Sequence, residues 1–253
     1  PENLNMIFNQ VEKEAVKNYK YHGGDTSPIY ALVLSPFAQF CVDAFVPQWV
    51  APNVITFSGL IISLTACAIT LAVNPTLHPS SSPRWLGLLN AASIFAYQTL
   101  DNMDGKQARK TQSSSALGMF FDHGCDAINA GVTIVSMGSI LGTGWSGKLF
   151  ITYLSSWVPF YFQTWEEYYS GSMILPPFNG PTEGLLMTIG ICLLSFFLGT
   201  EFFHQELFQL PTHVLLPEND FLREVGYPTI ENPSVSPFTL MLFIISICVV
   251  PTM

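Results

Sequence analysis

Long windows without a charged residue alternate along this chain with short polar stretches. A helix needs about 17 to 25 mostly apolar residues to cross the hydrocarbon layer of a bilayer. Six candidates approach that length, at residues 54–73, 85–100, 115–141 (charge-free over 127–141), 149–165, 184–200 and 237–253. The second is short unless its helix borrows the next, polar turn. Ahead of them, residues 28–46 are apolar but interrupted by Pro36 and Asp43, which fits a helix lying in the membrane interface better than one crossing it. The pattern predicts an all-α fold, a polytopic transmembrane helical bundle with an interfacial helix at its start.

Composition sharpens this. Of 253 residues 49% are hydrophobic and 11% charged, against about 25% charged in an ordinary soluble domain. The formal net charge of -9 excludes the basic face that nucleic-acid binding requires. Five cysteines, Cys41, Cys67, Cys125, Cys192 and Cys248, are scattered through apolar sequence without a C-x-x-C pair, so neither a disulfide framework nor a zinc site is expected. The N-terminus is polar and has no apolar core of a secretory signal. The chain starts without Met and stops inside an apolar run, and is expected to continue, at least at its C-terminus.

Short loops rich in Lys and Arg stay cytoplasmic. With the N-terminus in the cytosol, that side holds Lys13, Lys17, Lys20, Lys106, Arg109 and Lys110, and the opposite side Arg84, Lys148 and Arg223. The acidic loop at 201–236 then falls on the non-cytoplasmic side.

The chemically dense segment is D-N-M-D-G-K-Q-A-R-K-T-Q-S-S-S-A-L-G-M-F-F-D-H-G-C-D, residues 101–126. Asp101 and Asp104 are three apart, Asp122 and Asp126 four apart, so on helices each pair occupies one face. The polar stretch at 110–115 lets two antiparallel helices bring the pairs together. Four carboxylates at membrane depth repel and are expensive to desolvate unless a cation neutralises them. All-oxygen ligands favour Mg²⁺, with Mn²⁺ as the alternative and Zn²⁺ disfavoured. Two ions among four carboxylates would form a clamp suited to phosphoryl chemistry. Gly105, Ala108 and Gly118 are small enough to admit a phosphate ligand. Arg109 offers a planar fork for its oxygens, and His123 is a candidate base. The plainer alternative, acids and a histidine acting as packing groups, suits any one of these residues but not the whole spacing.

Asp101, Asp104, Gly105, Ala108, Arg109, Gly118, Asp122 and Asp126 fill every fixed position of the signature D-x2-D-G-x2-A-R-x8-G-x3-D-x3-D. The chain therefore resembles the CDP-alcohol phosphotransferases. The runs D-G-K-Q-A-R, D-H-G-C-D, W-V-A-P-N-V-I-T, Y-x-Y-H-G-G-D-x-S and W-E-E-Y-Y-S-G look like the choline/ethanolamine phosphotransferase branch. Met119 and Lys110 replace that branch's usual Glu and Arg, outside the fixed positions. The resemblance implies a single domain over 1–253, with an interfacial segment at 1–50, catalytic helices at 52–142 and further membrane helices beyond Met253.

It also implies transfer of phosphocholine or phosphoethanolamine from CDP-choline or CDP-ethanolamine to diacylglycerol, with release of CMP, at a cytosol-facing site in the endoplasmic reticulum or Golgi membrane. A homodimer is expected on the same basis. By motif position, Asp101 and Asp104 would hold one metal, and Asp122 and Asp126 the other. Arg109 would neutralise the diphosphate, and Asn53 would lie near the nucleotide unless it serves only to cap a helix. His123 is the first choice of base and Asp126 the second. Glu166 and Glu167 read as a solvated helix end rather than headgroup ligands, and Trp165, Tyr168 and Tyr169 as an interfacial aromatic belt. Two other readings compete. One is the same chemistry with inositol or glycerol phosphate as acceptor, which would need a basic pocket. The other is a cation-coupled transporter, which sits poorly with four acids near one membrane face and no broken helix pair at the midplane.

Overall fold

Prolines and glycines fall where the backbone needs them, and they divide the chain into helices. The structure is a computed structural model that describes residues 22–176, 180–209 and 234–240, with positions 9, 10, 14 and 16. Helix α1 is Ser35–Phe45, entered through a π turn at Tyr30–Leu34. Pro36 lies in its first turn, where a missing N–H is harmless, so the proline that interrupts the apolar run starts the helix. Helices α2 (Pro52–Val73) and α6 (Pro181–Leu198) also begin on proline. Between them lie α3 (Trp85–Lys110), α4 (Ala116–Leu141) and α5 (Gly147–Ser170). Ser115 caps α4, its Oγ accepting from the Gly118 N–H at 3.1 Å. Gly142 ends α4 at φ 63°, a left-handed conformation that glycine adopts without strain.

The fold is mostly helical, with four strands of two or three residues that the apolar pattern does not announce. Strand β1 (Gly23–Asp25) pairs in parallel with β2 (Met173–Leu175), and β3 (Phe208–Gln209) pairs antiparallel with β4 (Ser234–Val235). Among the described residues three helices, α2, α4 and α6, are long and apolar enough to cross a membrane. Helices α3 and α5 have the length, 26 and 24 residues, but not the apolarity: α3 ends in the charged run 101–110, and α5 is rich in hydroxyl and amide groups. Of the five predicted spans that fall on described residues, three meet this criterion. The last window, 237–253, lies outside the described residues beyond position 240, as do Lys13, Lys17, Lys20 and Arg223.

Helix α3 is the axis, packed by α2 on one side and α6 on another. Small residues set the spacing, as membrane helix interfaces require. A Cβ added at Gly87 would lie 2.4 Å from the Cys192 carbonyl oxygen of α6, and one at Gly59 would lie 3.4 Å from the Tyr97 ring. Buried polar groups join the helices: Asn90 Nδ2 donates to Thr70 Oγ1 and Asn74 Nδ2 to Ser139 Oγ, both at 2.9 Å.

At one end of the bundle α1 is hooked beneath the last turns of α3. Lys106 Nζ donates to Ser35 Oγ at 2.8 Å and Lys110 Nζ to the Val42 carbonyl at 3.0 Å. Gln107 Nε2 donates to the Pro47 and Val50 carbonyls. Lys110 also lies 3.5 Å from Asp43, whose carboxyl is held below its ordinary pKa by the Gln39 amide and, less strongly, by that ammonium. The same end receives β1, since Thr182 Oγ1 at the start of α6 donates to Asp25 at 2.5 Å and Ser27 Oγ donates to Glu183. The opposite end is tied by Trp145 Nε1 to the Pro75 carbonyl at 2.8 Å and by Arg84 to the Phe197 carbonyl at 3.1 Å.

Candidate active site

The signature residues lie where α3 and α4 run antiparallel on either side of the polar turn at 111–115, beside the first turns of α2. Helix α3 continues well past residue 100, so Asp101, Asp104, Gly105, Ala108 and Arg109 all stand on regular helix. Asp122, His123 and Asp126 follow two turns into α4.

Carboxylate oxygens of Asp101, Asp122 and Asp126 all lie within 4.8 Å of one another. Asp104 joins through its contact with Asp122 and is itself buried, 7% exposed. Two neighbours fix the acids. Thr56 Oγ1 of α2 donates to Asp104, and Tyr97 Oη, one turn before Asp101, donates to Asp126 Oδ1 at 2.7 Å. In contrast, Asp101 Oδ1 and Asp122 Oδ1 are buried and accept no hydrogen bond.

Buried acceptors without a donor are costly, and here they converge. Opposed oxygens on an octahedral Mg²⁺ stand about 4 Å apart, close to the spacing of this cluster. The residues present fit a hard divalent cation: all donors are oxygen, two are unpartnered, and among the described residues no Lys or Arg forms an ion pair with the four acids.

The surrounding groups fall into two sets. Arg109 is exposed and turns back along α3, so that a Cβ on Gly105 would lie 3.6 Å from its Nη1. Asn53 comes to α4, its Oδ1 3.7 Å from a Cβ built on Gly118. Ala51 is the N-terminal flanking residue of α2 and no side chain caps that helix, so Asn53 does not serve as its cap. Ala108 is half-buried one turn beyond Asp104. Lys106 and Lys110 are turned away toward α1, which removes two of the three cations expected beside the acids.

His123 Nδ1 stands 3.7 Å from Glu167 Oε2 near the end of α5, and both side chains are largely covered, 18% and 14% exposed. The sequence reading took Glu166 and Glu167 together as a solvated helix end. Glu166 is exposed, whereas Glu167 turns inward. Tyr168 and Tyr169, 80% and 75% exposed, fit the aromatic belt. Thr56 and Tyr97 were not singled out from sequence. Tyr97 could have been, because it precedes Asp101 by four residues and so shares its helix face.

Comparison with known proteins identifies the family. Residues 49–214 match the family model described as CDP-alcohol phosphatidyltransferase. The chain is 40% identical over 196 residues to "Choline/ethanolaminephosphotransferase 1" of Arabidopsis thaliana, covering 77% of this chain and 49% of that one. It is 36% identical over 198 residues to "Choline/ethanolaminephosphotransferase 1" of Saccharomyces cerevisiae, covering 78% and 50%. It is 37% identical over 192 residues to "CDP-diacylglycerol--serine O-phosphatidyltransferase" of Encephalitozoon cuniculi, covering 76% and 49%. The chain spans about half the length of these curated relatives. With its signature intact and its acids gathered between α3 and α4, the chain belongs to the CDP-alcohol phosphatidyltransferase family.

Proposed function

We propose that the protein transfers phosphocholine or phosphoethanolamine from CDP-choline or CDP-ethanolamine to the free hydroxyl of diacylglycerol. The observation that carries this reading is the convergence of four carboxylates, two with buried unpartnered oxygens, at the membrane-helix end where Arg109 is exposed. Asp101, Asp104, Asp122 and Asp126 would hold two Mg²⁺ ions. When bound, these supply charge neutralisation of the diphosphate and of the departing CMP.

The chain's own residues do the rest. Arg109 has its guanidinium fork toward solvent and available to diphosphate oxygens. Gly105 and Gly118 leave room for the nucleotide's approach, with Asn53 beside Gly118. His123 takes the proton of the acceptor hydroxyl as that oxygen attacks the phosphorus bearing the alcohol, and the phosphoanhydride bond to CMP breaks. Asp126 is the poorer base, because Tyr97 already donates to it and it is one of the clustered acids.

The relative named as a serine transferase favours a second reading, with the lipid on the nucleotide and serine as acceptor. Among the described residues, Arg109 is the cation left beside the acids once Lys106 and Lys110 are engaged with α1. That disfavours inositol or glycerol phosphate acceptors, whose phosphorylated forms need further positive charge.

The test is CMP release by the full-length protein in lipid with Mg²⁺. It compares CDP-choline or CDP-ethanolamine plus diacylglycerol with CDP-diacylglycerol plus serine. Metal-dependent release from the first pair supports the proposal, and the ratio of rates names the headgroup. Release only from the second pair moves the assignment. No release from any donor, with a labelled cation moving across the membrane, would return the protein to the transporter class.

A further inference from the structure

Helix α5 touches the bundle lightly. Leu149, in its first turn, is its one buried residue among those described, and most of its aromatic side chains are exposed. Against that background Glu167 is out of place: near the far end of an outward-facing helix, it is turned inward onto His123 while its neighbours Glu166, Tyr168 and Tyr169 face out. We propose that Glu167 is a positioning residue for the transfer reaction, holding the His123 imidazole so that Nδ1 carries the proton and Nε2 presents its lone pair to the acceptor hydroxyl. The proposal rests on His123 being the base.

Three observations support it. The contact is made by Nδ1, the nitrogen that must carry the proton when Nε2 acts as the base. Both side chains are shielded, so the carboxylate acts on the ring through little water, where electrostatic influence is strong. The 3.7 Å separation is longer than a hydrogen bond, and catalytic contacts of this kind are often long without substrate and tighten when it binds. A carboxylate behind a histidine fixes both tautomer and ring orientation, whereas a rotating imidazole would present the wrong nitrogen for part of the time. Asp122 and Asp126 flank His123 on its own helix and belong to the acid cluster, whereas Glu167 reaches the ring from α5.

The experiment uses the full-length protein in lipid with saturating Mg²⁺, and measures kcat and KM for the CDP-alcohol and for diacylglycerol. Glu167→Ala is expected to lower kcat about 10- to 100-fold, the usual effect of losing an orienting partner, with both KM values within about threefold of the parent. Glu167→Gln, which keeps an oxygen facing Nδ1, should recover a large part of that loss, and Glu166→Gln should match the parent. In a His123→Ala background, Glu167→Ala should cause no further loss, because the two act as a unit. A parent-like kcat in Glu167→Ala overturns the proposal while leaving His123 as base. So does an equal loss in the His123→Ala background, or a loss that Glu167→Gln does not lessen. A His123→Ala protein with full activity instead removes the base assignment and this proposal with it.

Discussion

Thr56 and Tyr97 fix two of the four acids proposed to hold metal. Each donates a hydrogen bond to one carboxylate, Thr56 to Asp104 and Tyr97 to Asp126, while one oxygen each of Asp101 and Asp122 is buried without a donor. Outer partners of metal ligands are typically worth 10- to 100-fold in affinity or activity. Tyr97→Phe, which removes only the donor, should therefore raise the Mg²⁺ concentration for half-maximal CMP release about tenfold or more. A titration curve superimposable on the parent's would deny Tyr97 this role. Asp122→Asn removes a ligand charge and should abolish more than about 99% of activity at any Mg²⁺ concentration. At the same time the fold should gain stability, since mutual repulsion among the acids falls. A raised thermal midpoint in metal-free detergent checks the second half of that prediction, and a lowered one counts against it.

Helices meet here through glycine rather than through bulk. Gly87 lets α3 and α6 approach until an added Cβ would stand 2.4 Å from a backbone oxygen. Backbone cannot swing aside as a side chain can, so Gly87→Val should destabilise by roughly 1 to 3 kcal/mol, read as a lower denaturation midpoint. A neutral result would mean that α6 is free to shift. Helix α1 depends on side chains instead: Lys110→Met should loosen it from α3 and expose the segment around residues 46–50 to protease. Asp43 supports the same junction, and its lowered pKa gives the sign. Its contribution is complete above the unfolded carboxyl value and fades as pH falls through the lower folded one, so the junction should hold at neutral and mildly acidic pH. At this scale the sequence was read well where periodicity and charge-free length suffice, as for α2, α4 and α6. It was read less well where a helix carries polar chemistry. The apolar pattern ends α3 near residue 100, but the helix runs on to Lys110 because its last turns are tied to α1 by Lys106, Gln107 and Lys110. The strand pair β1–β2 joins segments about 150 residues apart in the chain, beyond the reach of any local pattern. The acids were legible because their spacing matches the helix period. The inward turn of Glu167 was not, because two adjacent glutamates look alike until α4 is packed beside one of them.

Across the whole molecule, every group assigned to the chemistry lies toward one end: the first turns of α2 and α4 and the later turns of α3 and α5. Among the described residues, the opposite end holds structural ties such as Trp145 to Pro75 and Arg84 to Phe197. In the proposed reaction CDP-alcohols and CMP are charged and water-soluble, so this end would open to the compartment that supplies them, while a lipid acceptor would need only lateral access from the bilayer. The basic residues Lys106, Arg109 and Lys110 gather at the same end, with Arg84 and Lys148 at the other. An excess of short-loop lysine and arginine marks the cytosolic side, so charge and substrate supply agree. Ser114, in the turn between α3 and α4, and Ser81, at the opposite end, are both exposed. In sealed microsomes a membrane-impermeant maleimide should modify Ser114→Cys directly, and Ser81→Cys only after detergent is added, each measured against the parent. The reverse order would place the acids in the lumen and require a luminal supply of CDP-alcohol. Equal labelling of both positions before detergent would remove the premise that the two ends lie on opposite sides of a membrane.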